Sequence, residues 1–367
     1  MPMINIDSLF VKSGKIIIYR LYDVAYEINL LRVEERLQKE SRRLKIEKKP
    51  FSKAFEFANP PITFQLKGFR KEIRGEIFDL NVYSKIYDYG VISIILEVPV
   101  KEKNIYGYEA LAFYLEEDEE IDGECKKKLE QVIEILADAF VGFSISKFEE
   151  DYTIFFIEDI YPQVSFREFL EKYDIARLLF YEKGILSQDI KDELISLSFS
   201  YFNNDGVVLN WDNAFVIEPS GSTDIPDILE FANSQLLELR YYDSVVDKEL
   251  NQIYENMSKK GALSIWKIKE YEKFASRIMK TITDLTEITE KIDSSLKVTE
   301  DVYYAKIYRA ALRLFRVKEW EGGVKKKLDI VSGICDMLYK EIANKRLELL
   351  ELIIVLLIAI DIIIWLL

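Results

Sequence analysis

The chain has 367 residues, of which 49% are hydrophobic and 31% charged, with a net charge of −14. That balance belongs to a folded protein of about two domains and excludes a disordered one. There is no histidine, which removes the commonest general base, the usual zinc ligand and the usual pH switch. The two cysteines, Cys125 and Cys335, stand far apart without metal-type neighbours, which points to free thiols in a reducing compartment. No metal or other cofactor is expected.

The opening residues, MPMINIDSLFVKSGK, lack the continuous apolar stretch of a signal peptide. Lys15–Arg20 (KIIIYR) reads as a strand and Glu27–Leu37 as a helix. Residues 1–75 hold 16 Lys and Arg against 9 Asp and Glu, so the rest of the chain is near −21. Within this part Arg32–Lys53 carries nine basic and four acidic residues. It is either a solvated helix face or a contact for an anionic surface, RNA or lipid headgroups, through Arg42, Arg43, Lys48 and Lys49. Asn59-Pro60-Pro61 ends any helix, because proline lacks the amide and clashes with the preceding turn. Ile77–Val98 reads as two strands about Asp88-Tyr89-Gly90, and helices are expected around Tyr108–Leu115 and Lys127–Phe140.

A second series follows: strand Tyr152–Ile157, helix Phe166–Glu182, then strands Ile195–Phe202 and Val207–Ile217 joined at Asn203-Asn204-Asp205-Gly206. A helix opens at Asp224-Ile225-Pro226, where Asp224 can accept free amides and proline suits the first turn. The expected fold is therefore α+β, with two β-α-β-β-α, ferredoxin-like halves forming one body, residues 1–145 and 146–226. From Asp227 onward only helices are expected. Tyr271, Ile278, Leu285 and Ile292 step by seven, flanked by Phe274, Ile282, Ile288 and Leu296, which is a coiled-coil seam. Leu328, Val331, Cys335, Leu338 and Ile342 make another stripe, and breaks are expected near Gly261, in Ser294–Thr299 and at Gly322-Gly323. Residues 227–346 are read as a helical stalk.

Residues 347–367 (LELLELIIVLLIAIDIIIWLL) make a helix of roughly 31 Å, about the thickness of a bilayer core. They predict a C-terminal transmembrane anchor, with Leu352, Leu356, Ile360, Asp361 and Trp365 in it. The basic flank Lys340, Lys345 and Arg346 predicts a single-pass protein with its N-terminal body on the cytoplasmic side. Asp361 is costly at that depth and suggests a partner helix or a reach toward the far headgroups.

Motifs that carry chemistry are scarce. No Gly-rich phosphate loop, G-x-S-x-G elbow or C-x-x-C pair is present. A near match to a calcium loop begins at Asp118, but its twelfth position is Leu129 where a bidentate Glu is required, so it reads as an acidic loop. Trp211-Asp212-Asn213 interrupts a predicted strand with poor strand formers, which suggests a bulge, a polar pocket or a strand end.

The stretch Asp227–Asp243 (DILEFANSQLLELRYYD) resembles the signature of the family containing domain of unknown function 155, named for proteins "required for meiotic nuclear division". Similar stretches begin at Arg20, Tyr87, Glu150 and Tyr201. The resemblance implies no catalytic residues. Mitochondrial members are inner-membrane proteins linked to organelle translation, and the resemblance implies a protein or ribonucleoprotein partner. Asn233, Gln235, Glu238, Arg240 and Asp243 are the candidate interaction residues of this helix, either as a partner surface or as a polar network to the body. The expected function is a non-enzymatic, C-tail-anchored scaffold or tether that self-associates through stalk and tail. The alternative is a small-ligand binder or enzyme with a pocket near Trp211 and Asp212.

Overall fold

The computed structural model describes residues 9–44, 59–259 and 301–366, with isolated helical positions between 272 and 286. Two compact units are drawn from residues 1–238 with 294–318, and from 239–293 with 319–367.

In the first unit, strand β1 (Phe10–Asp23) is apolar on both faces: Ile16, Ile17, Ile18 and Tyr19 are all buried. A strand of that kind needs cover on both sides, so it belongs in the interior of a sheet. It pairs antiparallel with β5 (Val91–Asn104) on one edge and with β7 (Glu149–Tyr161) on the other. A short β2 (Ala25–Ile28) pairs with β6 (Phe140–Phe143) in a separate ribbon. Beyond β5 lie β4 (Glu76–Ile86) and β3 (Ile62–Ile73). Beyond β7 lie β10 (Asn213–Ile217), β9 (Gly206–Leu209) and β8 (Ser198–Phe199). The eight-stranded order is β3-β4-β5-β1-β7-β10-β9-β8.

Ile16, Ile18, Ile94, Leu96, Phe155 and Ile157 face one core. That core includes residues of α1 (Leu30–Leu44), α2 (Ile105–Glu116), α3 (Glu119–Ile135), α4 (Phe166–Lys172), α5 (Ile175–Leu179) and α6 (Gln188–Ser196). Ile17, Tyr19, Lys85, Ile95 and Phe156 alternate with these and face the other way. That second face meets the start of α7 (Asp224–Lys259) and the segment around α8 (Val302–Leu314): Tyr87 lies 6.2 Å from Phe231, and Tyr152 lies 5.6 Å from Phe315, centroid to centroid.

The body is α+β, but the two ferredoxin-like halves are not present. A β-α-β-β path, with one crossover and one hairpin, returns its last strand antiparallel to its first. In the second half the expected strand Val207–Ile217 is itself a hairpin, β9 and β10, broken at Asn210-Trp211-Asp212. The extra reversal sets β10 parallel to β7. In the first half β3 was not foreseen. Two hairpins lead from it to β5, which is antiparallel to β1, so β1 and β3 run in opposite directions and no crossover joins them. These hairpins turn at Arg74-Gly75 and at Gly90, where φ is +53°, +82° and +101°. The acidic loop after Glu116 holds the start of α3: Asp118 caps it by accepting the Glu120 amide at 3.1 Å.

The second unit is helical in its described residues. Lys327 of α9 (Val317–Leu366) pairs with Asp243 at 2.7 Å and Asp247 at 2.8 Å, and Arg346 pairs with Glu272. Val331, Cys335, Leu338 and Ile342 form a buried stripe at helical spacing, as read from the sequence. The helix runs through Gly322-Gly323 without the expected break. Positions 271, 274, 278, 285, 288, 292 and 296 of the predicted seam lie outside the described residues, as do the breaks near Gly261 and in 294–299.

Among the described residues no helix is long and apolar enough to cross a membrane. The stretch carries carboxylates. Side chains of α9 are described as far as Trp365, and the eighteen residues ending there include Glu348, Glu351 and Asp361. Each charged group near mid-bilayer costs roughly 2.5–3.5 kcal/mol. The transmembrane helix expected of residues 347–367, the anchor at Leu352, Leu356, Ile360, Asp361 and Trp365, the topology flank Lys340, Lys345 and Arg346, and the single-pass localisation are therefore not supported.

Candidate functional site

Alternation along β4 places Lys85 on the face toward α7. On α7, Asp227, Glu230 and Ser234 follow at i, i+3 and i+7 and share one stripe. The two elements meet through charge. Lys85 is only 2% exposed and Glu230 is fully buried. The Lys85 Nζ donates to Asp227 Oδ1 at 2.6 Å and to Glu230 Oε2. Thr223 Oγ1 donates to the other Asp227 oxygen at 3.3 Å. Tyr89 and Ser234 share a hydrogen bond of 2.6 Å, and Tyr87 stacks on Tyr89 at 5.2 Å. On the same face Lys15 pairs with Glu97 at 2.8 Å.

Two carboxylates thus share one ammonium away from water. Burial opposes the charge on Lys85, but Asp227 and Glu230 outweigh it and raise its pKa. Burial pushes Glu230 up, with Lys85 opposing and Asp227 adding to the rise. Burial and the carboxylates of Glu230, Asp227 and Glu97 also raise Tyr19. A lysine that holds its proton this firmly is not a nucleophile, since covalent lysine chemistry requires a depressed pKa. The arrangement suits a lock: the Lys85 ammonium is spent on two carboxylates within the unit.

The polar residues singled out on Asp227–Asp243 divide accordingly. Asn233, Gln235 and Glu238 are buried. Gln235 Oε1 accepts from the Tyr308 hydroxyl of α8 at 2.6 Å. Arg240 and Asp243 are half-buried, and Asp243 holds Lys327 in the second unit. Trp211 and Asp212 sit in the β9–β10 turn, with Trp211 47% exposed and edge-on to Phe315 at 6.3 Å. Arg42 and Arg43 fall within the bounds of α1, but their side chains, and Lys48 and Lys49, lie outside the described residues.

Lys85, Asp227 and Glu230 were not foreseen. The available signal was a lysine in the run Val82-Tyr83-Ser84-Lys85-Ile86 near the end of its strand, and acids at i and i+3 opening a helix without a basic partner nearby in sequence.

The sheet with its α1–α6 cover coincides with a known sequence family. The family model described as "Uncharacterized protein MJ0711, N-terminal domain" matches residues 13–223, more than half of the chain. The chain belongs to this family. The MJ0711 N-terminal domain thus ends at Thr223, one residue before α7, and includes Lys85 but not its two acids. "Uncharacterized protein MJ0711" of Methanocaldococcus jannaschii is 28% identical over 225 residues, covering 60% of this chain and 67% of that protein. The family is thus one without a described activity, as expected, but it is the MJ0711 family and not that of domain of unknown function 155.

Proposed function

We propose that the protein is a non-enzymatic scaffold that self-associates through the end of α9 and presents its α+β unit to a partner. The observation that carries this reading is the uncovered apolar surface of α9. From Leu352 to Trp365 its large apolar side chains are exposed on every face, Val355 at 66% and Trp365 at 86%. Contiguous apolar surface of this extent marks an interaction site. Apolar side chains that point to every side of a helix cannot be covered by one flat surface. Such a helix needs neighbours on several sides, and identical helices of equal apolar length supply them. The basic residues Arg42, Arg43, Lys48 and Lys49 offer the scaffold an anionic partner, nucleic acid being the natural choice for such a run.

The test is sedimentation of the full chain against a variant carrying Leu352→Gln, Leu356→Gln and Ile360→Gln. The parent should run as a discrete oligomer and the variant as a monomer with unchanged helix content. A monomeric parent, or an oligomer indifferent to the three substitutions, would refute the reading.

A further inference from the structure

A second cluster in the first unit, which shares no residue with the Lys85 lock, has the chemistry of a binding site. The turn after β8 presents Tyr201 and Phe202 outward, 64% and 65% exposed. The buried Asp205 holds them there, its Oδ1 accepting the Tyr201 amide at 2.8 Å and the Phe202 amide at 2.7 Å. Opposite, Asp301 caps α8 by accepting the Tyr303 amide at 2.8 Å, which fixes Tyr303 and Tyr304 on the first turn. Tyr304 is further tied by its hydroxyl to Asp224 at 3.1 Å. The rings are close: Tyr201 to Phe202 at 4.8 Å and nearly perpendicular, Tyr201 to Tyr303 at 5.5 Å, and Tyr303 to Tyr304 at 5.5 Å.

Together with Glu218 these rings line a cleft of about 400 Å³. The size suits a small molecule. No lysine or arginine is among the residues that line it. Burial and the carboxylates of Asp205 and Glu218 raise the Tyr303 hydroxyl, and that hydroxyl has no hydrogen-bond partner among the described residues. The cleft is therefore electronegative and walled by aromatic faces, whose negative quadrupole attracts cations.

The geometry assigns this cleft as a binding site for a small N-alkylated ammonium compound. Alkylation is specified because four of the ten lining residues are aromatic and one oxygen of each near carboxylate is already engaged. Asp205 Oδ1 accepts two amides, and Glu218 Oε1 accepts the amide and hydroxyl of Ser220 at 3.1 and 2.7 Å. These two oxygens supply field rather than free acceptors for an –NH₃⁺ group. A quaternary ammonium asks for no hydrogen bonds and gains from every ring.

Titration calorimetry of the full chain tests this with three probes of similar size: choline, its neutral isostere 3,3-dimethylbutan-1-ol, and the primary amine butylammonium. Choline should bind at least tenfold more tightly than either of the others. Tyr201→Leu and Tyr303→Leu should each weaken choline about tenfold, Tyr201→Phe should bind as the parent does, and Glu218→Gln should weaken binding and reduce its salt dependence. Tyr201 is largely exposed, so its variants keep the fold, and an unchanged far-ultraviolet circular dichroism spectrum verifies this. Equal binding of choline and its isostere, tighter binding of the primary amine, or no choline heat up to millimolar protein would overturn the assignment.

Discussion

Replacing Lys85 with methionine keeps the aliphatic stem and removes the charge. Glu230, fully buried, and Asp227, 9% exposed, would then face each other without a cation. Removing one partner of a buried ion pair typically costs about 3–5 kcal/mol, because the other is left charged and dry. Against a typical domain stability of about 5–15 kcal/mol, that is about a fifth or more of the total. Adding Asp227→Asn and Glu230→Gln to Lys85→Met removes the stranded charge and should recover at least about 2 kcal/mol. Glu230→Gln alone imitates the protonated acid. Burial raises Glu230, so the native state binds its proton more tightly than the unfolded chain does. The stabilisation is fully present at pH below the unfolded pKa and is lost as pH rises through the folded one. The Gln variant should therefore gain on the parent as pH rises. Because the chain has two units, a global unfolding curve is ambiguous. Hydrogen exchange of β4 and β5 peptides across a urea series reads the first unit alone. If Lys85→Met stays within about 1 kcal/mol of the parent, or the triple variant is no better than the single, the lock does not hold α7 as described.

Asp23 is buried, which pushes its carboxyl up to about 7 against a backbone hydrogen bond from Ala25. Its contribution is complete below about pH 4 and lost as pH passes 7, on the order of 4 kcal/mol for about three units. Asp23→Asn should therefore overtake the parent between pH 4 and 8 in the stability read by hydrogen exchange of β1 peptides across a urea series, and a constant difference would count against the shift. Gly90 has φ +101°, and a Cβ there would run into the carbonyl oxygen of Ala25. Gly90→Ala should cost about 2–4 kcal/mol, measured by the same exchange experiment, while an alanine tolerated within about 0.5 kcal/mol would refute the geometry. Cys125 is fully buried and its thiol is pushed up to about 12 by burial. It should resist iodoacetamide at pH 8 in the native protein and label rapidly in urea, as mass spectrometry can check.

Much of the frame was readable where one local rule acted alone. Gly90 marked the β4–β5 hairpin, Asp224-Ile225-Pro226 marked the start of α7, and the stripe from Val331 to Ile342 is buried as its spacing required. What escaped was polar sequence in ordered places. β3 carries Lys67, Arg70, Lys71 and Glu72 and looks like linker, yet a charged strand is what a sheet edge needs. The second half misled because Asn210-Trp211-Asp212 resembled a flaw in one strand rather than a turn between two. The lock was hidden for a related reason: amphipathic reading assigns apolar residues to the buried stripe, whereas here Asp227, Glu230 and Ser234 occupy it. The uncharged length of the tail was overread, since Glu348, Glu351 and Asp361 fall within it.

The position of β1 has a consequence for vectorial synthesis. It leaves the ribosome ahead of both strands it pairs with, yet it lies at the middle of the finished sheet. Its first edge stays open until β5 ends at Asn104, and its second until β7 ends at Tyr161. With translation at about 5–20 residues per second, that second edge stays open for several seconds. During that interval a long apolar strand offers unpaired amides and carbonyls to any neighbour, so the nascent chain, more than the mature protein, is where chaperones have work to do.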